Sequence, residues 1–177
     1  MANNVLTLVG QTALAMGAIL LVAAALHDVA ARTIPNWVSL ALAALGVMLR
    51  SLHGWHELLT ALLLGLVVFA IATFCWRRGW MGGGDVKLLG AAAVFVPPVH
   101  VGDMLLAVTL TGGVVGLIYL LGRWLLSKSV RPATARPRNL FARILRIERR
   151  RLRRGGPLPY ASAIAAGTLF IVCHFAG

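Results

Sequence analysis

The chain is poor in charge, and above all in negative charge. Only 12% of its 177 residues are charged, and only five are acidic: Asp28, Glu57, Asp85, Asp103 and Glu148. Soluble domains carry about 25% charged residues, so this composition excludes an ordinary soluble enzyme and a disordered tail. Two cysteines, Cys75 and Cys173, are too few for a secreted disulfide scaffold. They join with the five scattered histidines into no metal-type cluster, and no metal or other cofactor is expected. Each histidine reads as an interfacial or loop residue rather than a ligand or base. No internal repeat is evident.

What fills the chain instead is apolar. Hydrophobic residues make up 59%, against a usual ~45–50%, which leaves an integral membrane protein. A span takes about 20 apolar residues, because the hydrocarbon core is about 30 Å thick and a helix rises 1.5 Å per residue. Residues 5–26, 37–52, 58–76, 105–126 and 158–175 fit, the second if slightly short or tilted. A weaker segment, 86–99, follows a glycine run and stops at Pro97-Pro98. It is counted as a sixth helix, shallow or begun within the glycines. Lipid tolerates no open sheet, so the expected fold is all-α, with six transmembrane helices in one polytopic domain over 1–177. The start, Met1-Ala2-Asn3-Asn4, lacks the basic region of a cleaved signal peptide.

Loop charge sets the expected orientation. With six spans, Arg32, Arg77, Arg78, Lys87 and the segment 127–156 share one side, the cytoplasm, and both termini face out. Net charge is +12, a value met in nucleic-acid binders, but its concentration in membrane-proximal loops argues against a nucleic-acid partner. Within 127–156, residues 131–138 compose an extended linker. From Asn139 onward, Leu140, Phe141, Ile144 and Leu145 share a helical face and arginines occupy the rest. A basic amphipathic helix of this kind lies on anionic lipid. A solvated loop that merely fixes orientation is the plainer alternative.

Two of the acids stand at one depth. Asp28 follows the first span in His27-Asp28-Val29-Ala30-Ala31-Arg32-Thr33-Ile34-Pro35-Asn36, and Asp85 follows the third in Met81-Gly82-Gly83-Gly84-Asp85-Val86-Lys87-Leu88. An ionisable residue beside a span is a functional candidate. Two carboxyl groups brought close do not both ionise easily, so one can act as general base and the other as general acid. Structural readings stand beside this one. Asp28 can pair with Arg32 one turn on, and Asp85 can cap the fourth helix or pair with Lys87. The three glycines permit positive φ and the close approach of another backbone, as a peptide substrate would need; a flexible turn explains them too.

Asp-x6-Pro-Asn followed by Gly-Gly-Gly-Asp-Val-Lys-Leu resembles the type IV prepilin peptidase family, membrane aspartic proteases of the Gly-x-Gly-Asp type. Residues 158–167, Leu-Pro-Tyr-Ala-Ser-Ala-Ile-Ala-Ala-Gly, are similar to the family's last-helix pattern, with Ala161 where glycine is usual. The chain has no Cys-x-x-Cys pair and no room for the zinc segment of the larger, methylating members. It looks like the short, peptidase-only CpaA/TadV branch that serves Flp-type tight-adherence pili. The resemblance implies a bacterial inner-membrane enzyme that cleaves prepilin or pilin-like leaders at the cytoplasmic face, after a glycine. It implies Asp28 and Asp85 as the catalytic pair, with Gly82, Gly83, Gly84 and Lys87 shaping an active-site loop. Pro35 and Asn36 match the first motif and are expected to open the second helix, Asn36 as its cap. Lys87 binds substrate or tunes Asp85. The competing functions are a small ion- or proton-coupled transporter using the same two aspartates and a catalytically silent assembly subunit.

Overall fold

The computed structural model describes residues 2–31, 33–127 and 160–175, and these are helical apart from short connections. Six α-helices stand among them: α1 (Ala2–Ala31), α2 (Asn36–Leu52), α3 (Trp55–Arg77), α4 (Gly83–Phe95), α5 (Val101–Ser127) and α6 (Tyr160–Phe175), with a single 3-10 turn at Pro98–His100 before α5. Arg32 and residues 128–159 lie outside the described residues, and with them the amphipathic helix expected from Asn139.

Three helical stretches are long and apolar enough to cross a membrane: Thr7–Ala31, Trp55–Arg77 and Pro98–Gly122. α2 and α6 are apolar but shorter. At 13 residues, α4 is about 20 Å long, too short to cross a bilayer alone. It begins inside the glycine run, as expected, and it is enclosed by other helices. From Val86 to Phe95 only Lys87 escapes burial. A helix apolar all round has no face suited to water and is enclosed by others; α2, α3 and α6 pack on it.

One end of α1 departs from expectation. Asp28 does not follow the first helix but lies in its last turns. Leu26 to Ala31 contains neither glycine nor proline to end a helix, and the stop comes only ahead of Pro35, which disfavours α backbone in the residue before it.

Contacts divide the chain into two compact units. One holds α1 to α4, the first part of α5 and α6; the other begins at Gly113. Of the second, the described residues supply only the rest of α5, with Val114, Leu117 and Ile118 exposed. The first is inside-out by the standards of a water-soluble fold. Its exterior shows Ile19, Leu63, Leu66 and Leu110, each more than 60% exposed, whereas Ala13, Ala24, Ala61, Ala72, Ala92 and Ala161 are buried. Lipid covers the large side chains, and small ones let helices approach closely. A Cβ on Gly46 would stand 2.8 Å from the Phe95 backbone, and one on Gly17 would meet the Phe95 ring at 2.2 Å. Phe95 thus closes α4 between α1 and α2. Likewise a Cβ on Gly167 of α6 would lie 2.6 Å from the Val108 nitrogen of α5.

Candidate active site

The site is assembled at the C-terminal end of α1 and the N-terminal ends of α2, α4 and α6. Between α1 and α2 the chain turns through Thr33-Ile34-Pro35. The Thr33 carbonyl accepts a hydrogen bond from His27 Nδ1 at 2.6 Å, which holds the turn against α1. The N-cap of α2 is Pro35, in extended backbone, and not Asn36. Asn36 is already helical, and its side chain serves another purpose: its Oδ1 accepts a hydrogen bond of 2.9 Å from Lys87 Nζ. The expected capping role is therefore corrected, and Lys87 gains a defined partner from the other motif.

The glycine run is not a loop. Only Gly82 lies outside α4, as its extended N-cap, and Gly83, Gly84, Asp85 and Lys87 belong to the first turns of the helix. Nor does the run use the left-handed backbone open to glycine; among the described glycines only Gly54 and Gly79 have positive φ. Its glycines serve approach. A Cβ on Gly84 would meet the Ile34 side chain at 3.2 Å, one on Gly83 the Trp76 indole nitrogen at 3.3 Å, and one on Gly82 the Asp85 Oδ2 at 2.9 Å. The α1–α2 turn and the end of α3 thus close down on the start of α4. Asp85 folds back over Gly82, where the partial positive charge of a helix N-terminus favours a carboxylate.

Asp28 is 6% exposed. Its Oδ2 accepts the backbone N–H of Ala161 at 3.2 Å. Ala161 is the second residue of α6, so its amide is one of the four that a helix start leaves without an internal acceptor. Asp28 thus reaches the start of α6, and α4, which carries Asp85 in its first turn, packs on the same helix. That start is held by α5: Thr111 Oγ1 donates to the Ala163 carbonyl at 3.1 Å, and the Tyr160 ring stands over Gly112.

Sequence motifs named Asp28, Asp85, the glycines and Lys87. They did not name Trp76 or the Ala161 amide as neighbours of these residues. A main-chain N–H carries no side-chain signature; the one available cue was the Pro-Tyr-Ala segment that opens α6.

Chemically, the arrangement offers one carboxyl group buried on the start of α6 and a second, more accessible one in the first turn of α4. Residues 15–121 match the model of the type IV leader peptidase family. The match covers more than half of the chain and includes both aspartates, and it ends before α6. No curated protein and no solved structure matches the chain.

Proposed function

The chain belongs to the type IV leader peptidase family, and on that premise we propose that it is a membrane aspartic endopeptidase acting on Flp-type prepilins. It cleaves their leaders after a glycine, at the cytoplasmic face of a bacterial inner membrane, with Asp28 and Asp85 as the catalytic pair. The observation that carries this reading is the meeting of the two aspartate motifs, Lys87 of one on Asn36 of the other and Gly84 on Ile34, with Asp28 on the Ala161 amide.

In the proposed reaction the ionised aspartate takes a proton from a water molecule as its oxygen attacks the scissile carbonyl. The other aspartate, protonated, donates to the carbonyl oxygen as the tetrahedral centre forms. Collapse of that centre breaks the C–N bond, the proton taken from water passes to the leaving amine, and the aspartate that donated takes back a hydroxyl proton as the carboxyl group forms. The carboxyl groups act as a unit.

The same reading includes six spans with both termini outside. Loop charge supports it, and so do Trp37, Trp76 and Trp80, all exposed toward the aspartate end of the bundle, as expected of an interfacial aromatic belt. The segment 127–156 is taken to rest on anionic lipid, without a nucleic-acid partner.

The test is cleavage of a purified prepilin by the purified full chain, read by mass spectrometry. Asp28→Asn and Asp85→Asn are each expected to lower the rate by at least about 10²-fold while the protein keeps its helical circular dichroism. The double variant is expected to be no slower than the worse single one. Near-wild-type cleavage by either variant removes that residue from the mechanism. A chain that folds, inserts and never cleaves favours a transporter or an assembly subunit.

A further inference from the structure

The helices that build the aspartate site meet again at their other ends. There a cavity of about 510 Å3 opens, lined among others by Gly10, Gln11 and Leu14 of α1, Arg50 of α2, Phe95 of α4 and Ile171 of α6. Gln11 is 17 residues from Asp28 along α1, about 26 Å at the helical rise. The volume lies in the ~300–1,000 Å3 range of small-molecule sites.

Arg50 sets the chemistry of this cavity. It is 5% exposed. Its Nη1 donates to Glu57 Oε1 across the α2–α3 turn, and its Nε is buried with no hydrogen-bond partner among the described residues. Burying a charged donor without an acceptor is costly, and Arg50 lines the cavity, so its guanidinium calls for an anionic oxygen there. The guanidinium fork suits phosphate oxygens in particular. Thr7, Gln11 and His53 add polar atoms to the wall, while Leu14, Phe95 and Ile171 are apolar. The surrounding helix surface is itself apolar, with Leu8, Met16 and Leu52 exposed beside the cavity lining. A ligand with one anionic head and one hydrocarbon chain matches both walls.

We propose that this cavity binds an anionic phospholipid, its phosphodiester on the guanidinium of Arg50 and the head of an acyl chain against Leu14, Phe95 and Ile171. The site is separate from the peptidase reaction, and its test does not depend on cleavage.

The experiment is equilibrium binding to the full chain in neutral detergent, with phosphatidylglycerol, phosphatidylcholine and soluble glycerol phosphate as probes. Because the basic segment 127–156 also attracts anionic lipid, each variant is compared with the wild type, whose segment is identical. Arg50→Gln removes the fork. Gly10→Leu fills the cavity from a position where an added Cβ meets nothing within 4 Å, so it keeps the test valid if Arg50→Gln fails to fold. Either variant is expected to weaken phosphatidylglycerol binding at one site by roughly tenfold or more. Phosphatidylcholine and glycerol phosphate are expected to bind that site at least roughly tenfold more weakly than phosphatidylglycerol. Glu57→Gln, which removes the competing carboxylate, is expected to tighten phosphatidylglycerol binding. Unchanged binding by Gly10→Leu overturns the cavity as the site. Equal binding of phosphatidylcholine overturns the preference for an anionic head, and equal binding of glycerol phosphate overturns a lipid occupant.

Discussion

The hydrogen bond from Lys87 Nζ to Asn36 Oδ1 spans 51 positions of sequence and joins the two family motifs to each other. It fastens the start of α2 to the start of α4, between which Ile34 sits on Gly84. Lys87 is thereby a residue that positions α4, and with it Asp85. If so, Asn36→Ala and Lys87→Ala should lower thermal stability by similar small amounts. Their double-mutant cycle should return a coupling of about 0.5–1.5 kcal/mol, the net scale of a single hydrogen bond. A coupling near zero would mean that each side chain acts alone. The motifs made both residues visible but not their pairing, because Asn36 was equally plausible as a helix cap. The Pro35 backbone took that role by adopting the extended conformation, and this freed the amide side chain for Lys87.

Among the elements, α4 is the one whose surroundings matter most. It is short and apolar on every side, so its place is decided by who encloses it. Phe95 marks its far end, with its backbone against Gly46 and its ring against Gly17. Gly46→Val puts branched carbon where main chain already stands and is expected to cost about 1–3 kcal/mol or more through overpacking. Thermal unfolding in detergent, followed by loss of the monodisperse species, measures this. A control lies on α1 itself: Gly10→Leu enters open space and is expected to leave the unfolding midpoint within a few degrees. Equal destabilisation by both substitutions would show that helix-interior glycines, not the Phe95 contact, set the effect. The glycines before Asp85 obey the same logic. Their use as contact points for Ile34 and Trp76, rather than as left-handed hinges, lies in the packing and not in the local sequence.

For the molecule as a whole, the sorting of side chains by size and of charge by loop sets its placement in the bilayer. Trp55 and Trp80 are both strongly exposed, at opposite ends of the α3 region. With Cys75 and Cys173 replaced by serine, a cysteine at position 55 should react with a membrane-impermeant maleimide in intact cells. One at position 80 should react only after the membrane is opened. The reverse pattern would invert the orientation and move the aspartates to the outer face. The distribution of basic residues supports the first outcome, since Arg77 and Arg78 adjoin Trp80 while Glu57 adjoins Trp55.

Composition by itself determined that this chain is helical and apolar enough for a membrane, because 59% hydrophobic residues in runs of this length leave the backbone no other way to satisfy its polar groups in lipid. It also determined, through two motifs, which acids to watch. Hydropathy could not tell where α1 ends, since a helix stops where its backbone is obstructed and not where its residues turn polar; Asp28 is inside the helix for that reason. Only the tertiary structure decided that α4 lies within the bundle. It alone brought Asp28 to the Ala161 amide and Lys87 to Asn36, and left Arg50, which lines a cavity, with its Nε unpartnered among the described residues. Each of these joins residues far apart in the chain through a main-chain donor, a side-chain hydrogen bond or a void, none of which has a one-letter code.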